Sequence, residues 1–166
     1  MIDVYTDGGS SGNPGPGGWA FVVLFPDGSR VERSGGSGET TNNRMELEAV
    51  IRALEFLLNI PRVVPGRAFG EGREVINLHT DSQYVQLGIS RWIHTWVRNG
   101  WKTSDNKAVK NQELWKRLYE LTQQFQLRWV WIKGHAGDPH NERCDRLVQK
   151  EIKKIKETQA NCTDPT

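Results

Sequence analysis

The chain is poor in cysteine, with only Cys144 and Cys162 among 166 residues. Two cysteines cannot build the disulfide lattice of a small secreted domain, and they point to a reducing compartment. No apolar run approaches the roughly 20 residues that cross a bilayer. The first residues, Met1-Ile2-Asp3-Val4-Tyr5, lack the basic and then apolar pattern of a secretion signal. A cytoplasmic protein without membrane contact is therefore expected. Asn161-Cys162-Thr163 matches a glycosylation acceptor, a triplet that arises readily by chance. An excess of one charge is also missing. Lys and Arg number 22 against 20 Asp and Glu, a net +2. This is not a protein that coats polyanions uniformly, so any nucleic-acid contact must be a local patch. Tryptophan, by contrast, is abundant, with seven residues.

Hydrophobic periodicity predicts one mixed α/β domain over residues 1–158, followed by a disordered tail at 159–166. Residues 2–7 alternate as a strand. Residues 8–18 hold six Gly and two Pro and read as a loop. A buried strand follows at 19–25, and 30–34 returns as the third strand of a meander. Leu47, Val50, Leu54 and Leu57 recur at helical steps over 45–58, with Thr41 or Asn42 as cap. Residues 61–73 read as a surface loop, 75–80 as a strand, and 82–97 as a helix broken at Gly88. A helix around Leu114, Leu118 and Leu121 precedes a strand at 126–132, a loop at 133–141 and a final helix from 142 to about 157.

The informative residues are acids in unusual places. Asp7 and Asp81 each end a predicted strand, where α/β sheets collect ligands. Taken singly, each is better explained as a turn or cap former. Glu46 tests that bland explanation better. It falls in helical register with Ala49, Val50, Ala53 and Leu57, so it points toward the apolar face. A carboxylate there costs several kcal/mol unless compensated, whereas a helix-dipole role would return only about 0.3–1 kcal/mol. Asp145 sits on the shoulder of the last helix, in line with Val148 and Ile152, where it can also reach solvent. If these four acids converge, like charges raise one another's pKa and call for hard cations. Two such ions about 3.5–4 Å apart clamp the oxygens of an in-line phosphoryl displacement.

Other chemistries fit less well. Gly8-Gly9-Ser10-Ser11-Gly12 matches a nucleophile elbow, and its glycines suggest a dinucleotide loop. Both need a following helix, and Asn13-Pro14-Gly15-Pro16-Gly17 forbids one. His135 and His140 lack partners at zinc-ligand spacing.

Five motifs together resemble bacterial type 1 ribonuclease H. They are Thr6-Asp7-Gly8-Gly9 with Gly12-Asn13-Pro14-Gly15-Pro16-Gly17-Gly18; Thr41-Asn42-Asn43-Arg44-Met45-Glu46-Leu47; Thr80-Asp81-Ser82-Gln83-Tyr84-Val85; Val130-Trp131-Ile132-Lys133-Gly134-His135-Ala136-Gly137; and Asn141-Glu142-Arg143-Cys144-Asp145-Arg146-Leu147. They run in the family's order from Ile2 to about Glu157. The resemblance implies a ribonuclease H-like fold, with a five-stranded mixed sheet (an antiparallel β1-β2-β3 meander, then β4 and β5) flanked by helices. It implies an endonuclease that hydrolyses the RNA strand of RNA–DNA hybrids with two Mg²⁺ ions, Mn²⁺ substituting, and leaves 5′-phosphate and 3′-hydroxyl ends. Asp7 would bridge both ions, Asp145 would help hold the ion that activates water, and Glu46 and Asp81 would hold the one near the leaving group. Glu142 would be an auxiliary acid. His135 would assist water or product handling from a mobile loop. Gly8, Asn13, Thr41, Asn42, Asn43 and Gln83 would contact the hybrid. A monomer with no protein partner is expected. The alternative is a non-cleaving hybrid-binding module of the same fold, but all four acid positions are filled.

Residues 91–110 carry Arg91, Arg98, Lys102, Lys107 and Lys110 against Asp105, a net +4 that exceeds the whole chain's charge. The segment resembles the family's basic protrusion, which grips the DNA strand, with Lys102 and Lys107 as contacts. Trp92 and Trp96 are divided between packing sugars and filling the core. Residues 61–73 look like an insertion relative to compact bacterial members.

Overall fold

The structure is a computed structural model that describes residues 1–60, 63, 74–134 and 137–162. Five strands form one sheet in the order β3-β2-β1-β4-β5. They are β1 (Ile2–Ser10), β2 (Gly15–Leu24), β3 (Arg30–Thr40), β4 (Val75–Thr80) and β5 (Gln126–Trp131). β1 pairs antiparallel with β2 and parallel with β4, and β4 runs parallel to β5. This is the ribonuclease H-like arrangement expected from the sequence.

The helices cover both faces. On one side α1 (Asn42–Leu58) and α4 (Gln112–Thr122) lie over a core that includes Val4, Phe21, Leu47, Leu54, Leu78, Trp115 and Leu118. On the other, α5 (Pro139–Cys162) buries Cys144, Leu147, Val148 and Ile152 against Ala20 and Val22. Thr41 caps α1, its side chain accepting from the Arg44 N–H. Among the described residues, no helix is long and apolar enough to cross a membrane.

Three local expectations change. The glycine-rich stretch 8–18 is mostly strand, since Gly9 pairs with Gly18 and Ser10 with Gly17. Ladder hydrogen bonds and tight packing override the weak strand preference of glycine; a β-carbon on Gly18 would lie 2.9 Å from the Val148 carbonyl oxygen. The expected break at Gly88 is a wide π-turn, Gly88–Trp92, joining α2 (Gln83–Leu87) to α3 (Ile93–Arg98). Gly88 is needed there because the Trp115 ring fills the space of a side chain, 1.9 Å from where a β-carbon would stand. The last helix begins earlier and ends later than expected, so residues 159–162 of the expected tail are helical. Gln159 ties that end to β3, its amide donating to the Gly38 carbonyl at 3.2 Å. Most of the 61–73 insertion, and residues 163–166, lie outside the described residues.

Candidate active site

Asp7 does not end its strand. β1 continues to Ser10 on its β2 side, whereas its pairing with β4 stops at Tyr5↔His79. Two residues beyond that pair stand Asp7, still on β1, and Asp81, just past the end of β4. Side chains two apart share a face, so the register brings these acids together.

Glu46 arrives from α1. A β-carbon on Gly8 would sit 2.2 Å from the Met45 carbonyl carbon and 2.4 Å from the Glu46 nitrogen. Only glycine lets the helix lie this close to β1. Asp7, Glu46 and Asp81 thereby each offer an oxygen, all within 4.8 Å of one another. Asp7 is 8% exposed and Glu46 6%.

Three carboxylates at this range, without cations, disfavour one another's charge. Burial, and then the charges of Asp81 and Asp145, push the Asp7 carboxyl up to about 7. Burial, followed by Asp7 and Asp81, holds Glu46 well above the usual carboxylate range. The Glu46 Oε2 atom is buried without a hydrogen-bond partner. An orphaned carboxylate oxygen beside two more carboxylates is an oxygen-rich donor set suited to a hard divalent cation. The residues therefore fit a metal ion.

Asp145 stands outside this triad but lines the same cavity of about 250 Å³, with Gly8, Ser10, Asn42, Asn141, Glu142 and Gln149 among its other walls. α5 places it there. Asp138 starts the helix, its carboxylate accepting from the backbone N–H groups of His140 and Asn141 at 2.9 and 3.0 Å. The Arg143 guanidinium donates to Glu32 of β3 at 3.0–3.2 Å, clamping the helix to the sheet. Glu142 is exposed at the rim.

The expected substrate residues are only partly gathered. Gly8 and Asn42 line the acidic cavity. Asn13, Thr41, Asn42 and Asn43 line a second cavity of about 470 Å³ together with Lys110 and Asn111. The Asn13 side chain accepts from the Asn42 N–H at 2.9 Å, joining the β1–β2 turn to α1. Gln83 is exposed on the first turn of α2 and lines neither cavity. Trp92 and Trp96 are half-buried in an aromatic cluster, with Trp96 5.3 Å from Trp115 and Trp92 5.9 Å from Tyr84. They brace the segment that carries exposed Lys102 and Lys107. His135 lies outside the described residues, although its neighbour Gly134 packs on Asp81: a β-carbon there would lie 2.8 Å from Oδ2.

The sequence reading counted Asn141 within a motif and Lys110 within the basic segment without giving either a site role, and it did not select Asn111. Asn141 is 4% exposed and its Oδ1 has no partner. Asn111 holds a left-handed conformation at φ 60, accepts from Arg44 at 3.0 Å and donates to the Tyr84 hydroxyl at 3.2 Å. Asn tolerates that conformation better than most residues. Its place shortly before the helix marked by Leu114, Leu118 and Leu121 was the only available signal.

Known proteins resemble this chain in sequence and fold. The chain is 48% identical to a ribonuclease H of Treponema denticola over 160 residues, covering 93% of this chain and 98% of the relative. It is 50% identical to a ribonuclease H of Rhizobium meliloti, covering 93% and 92%. A solved structure of LC11-RNase H1 in complex with RNA/DNA hybrid superposes with a TM-score of 0.67 at 29% identity, covering 93% of this chain and 98% of that one. The RNase H sequence model matches residues 1–153, and the chain belongs to that family.

Proposed function

We propose that the acidic cavity is the hydrolytic centre of an endonuclease that cuts the RNA strand of RNA–DNA hybrids, leaving 5′-phosphate and 3′-hydroxyl ends. The observation that carries this reading is the meeting of Asp7, Glu46 and Asp81 within 4.8 Å, two of them buried, in a cavity that Asp145 also lines. Asp7, Glu46 and Asp81 would hold Mg²⁺, or Mn²⁺ in its place, with Asp145 beside Asp7 for a second ion. Bound Mg²⁺ would supply an activated water and charge neutralisation at the scissile phosphate.

The remaining work falls to the chain. Asp7 feels the charges of both Asp81 and Asp145 and hydrogen-bonds with Glu46, which suits it to a shared position. Glu142 at the rim can take and return protons near the cavity mouth, and the family resemblance gives His135, next after Gly134 in sequence, a matching role in water or product handling. Asn13, Thr41, Asn42 and Asn43 offer amides and a hydroxyl to sugar and base edges, consistent with recognition by shape and 2′-hydroxyls. Lys102 and Lys107 offer phosphate contacts on the other strand. Trp92 and Trp96 act mainly by bracing that basic segment, given their packing on Tyr84 and Trp115.

Incubation with end-labelled RNA–DNA hybrid, double-stranded RNA and double-stranded DNA, each with and without Mg²⁺, tests the proposal. Metal-dependent loss of the RNA strand in the hybrid alone supports it. Tight hybrid binding without products would replace it with the binding module.

A further inference from the structure

The acidic cavity has a neighbour of opposite charge that the reading above does not use. Between Arg146 and Lys156, α5 carries Arg146, Lys150, Lys153, Lys154 and Lys156 against a single acid, Glu151. Three- and four-residue steps place Arg146, Gln149, Lys150, Lys153 and Lys156 along one side of the helix, all exposed. That side adjoins Asp145, and Gln149 lines the acidic cavity itself. The stripe thus begins at the cavity and runs outward for ten residues, about 15 Å.

A solvated helix of ordinary kind would pair such cations with acids at three- and four-residue spacing. Acids do stand at that spacing, Glu142 four residues before Arg146 and Glu157 four after Lys153, yet neither forms an ion pair with them among the described residues, and Glu151 is turned toward the sheet. Glu151 accepts from the Ser34 hydroxyl of β3 at 2.9 Å and pairs with Lys154 at 3.5 Å. Among the described residues, Arg146, Lys150, Lys153 and Lys156 form no ion pair. Arg146–Lys150, Lys150–Lys153 and Lys153–Lys156 are instead like-charge neighbours, each of which destabilises the helix. A polyanion lying along the stripe would offset that repulsion.

We propose that this side of α5 binds the sugar–phosphate backbone of the hybrid beyond the cleavage cavity, a second cationic grip separate from the segment around Lys102 and Lys107. The inference rests on the cavity being the hydrolytic centre. A strand seated there continues past the cavity mouth, and 15 Å of helix spans about four nucleotides of backbone at 3.4 Å each.

The test compares Lys153→Ala/Lys156→Ala and Lys153→Glu/Lys156→Glu with the parent chain. Binding of a fluorescent RNA–DNA hybrid is followed by anisotropy over a range of salt concentrations in EDTA. Alanine favours helix, so circular dichroism should be preserved. Loss of two phosphate contacts should weaken binding about tenfold at low salt and reduce the salt slope by about two. The Glu pair should weaken it further, and KM for hybrid hydrolysis should rise in step. Affinity and slope equal to the parent's in both variants would overturn the inference. A parent chain that fails to hydrolyse hybrid with Mg²⁺ would instead overturn the assignment of the cavity, so the two failures are separable.

Discussion

Gly8 and Glu46 meet backbone to backbone: a β-carbon on Gly8 would stand 2.4 Å from the Glu46 nitrogen. The contact fixes how far the first turn of α1 stands from β1, and so how far the Glu46 carboxylate stands from Asp7. Gly8→Ala should push the helix away and spread the carboxylates. We expect hybrid cleavage to fall by at least about tenfold, since a displacement near 1 Å can cost about a hundredfold, together with a loss of a few kcal/mol of stability from overpacking. Cleavage kinetics and thermal unfolding check this together, and wild-type turnover in the variant would show that the spacing is unimportant.

Asp7 occupies the middle of the acid group. Asp7→Asn keeps its shape and removes its charge, so the fold should survive while turnover drops by several orders of magnitude. A single-turnover assay with Mg²⁺ and labelled hybrid measures the loss. Retention of more than about a tenth of the parent rate would exclude a central role.

Removing divalent cations should make stability depend on pH in a definite sense. In the folded chain the Asp7 carboxyl titrates at about 7 against an ordinary 3.8, and Glu46 is raised as well. Between those values the folded chain holds protons that the unfolded chain has released, so stability falls as pH rises through the window. In EDTA, the melting temperature should be higher near pH 5 than near pH 8. Mg²⁺ should restore the loss at pH 8 by binding the folded state, and Glu46→Gln should flatten the profile. Differential scanning calorimetry across pH reads all three, and a metal-free profile flat from pH 5 to 8 would contradict the clustering.

Lys102 and Lys107 are both exposed. Lys102→Ala/Lys107→Ala should weaken hybrid binding and lower the salt slope by about two, one contact for each lysine. Titrations of fluorescent hybrid at several salt concentrations decide the matter, and an unchanged slope would take these residues off the contact surface.

Much of the site was legible because its residues break local rules. Glu46 sits on the apolar stripe of α1, a costly place for a charge, and the structure buries it beside Asp7. Asp7 and Asp81 stand two residues beyond the last β1–β4 pair, Asp81 just past the strand end, and the parallel register makes them neighbours. Asp145, read as a helix shoulder, does face the shared cavity, but no periodicity argument gives its distance from the other three. The strand through Gly9 and the pairing of Gly17 and Gly18 were missed because isolated glycines signal loops. Here partner strands and the close approach of α5 decide their conformation. Asn111 was missed for a related reason, since a left-handed start to α4 depends on Arg44 and Tyr84, far away in sequence.

The π-turn at Gly88–Trp92 has a consequence for the basic segment that follows. It houses one more residue per turn than the coil on either side, so it sets the rotational phase of everything downstream. Excising a single residue there would twist α3 by about 100°, swinging Trp96 off Trp115 and re-aiming the segment that carries Lys102. The π-turn thus sets the direction in which the basic segment leaves the sheet.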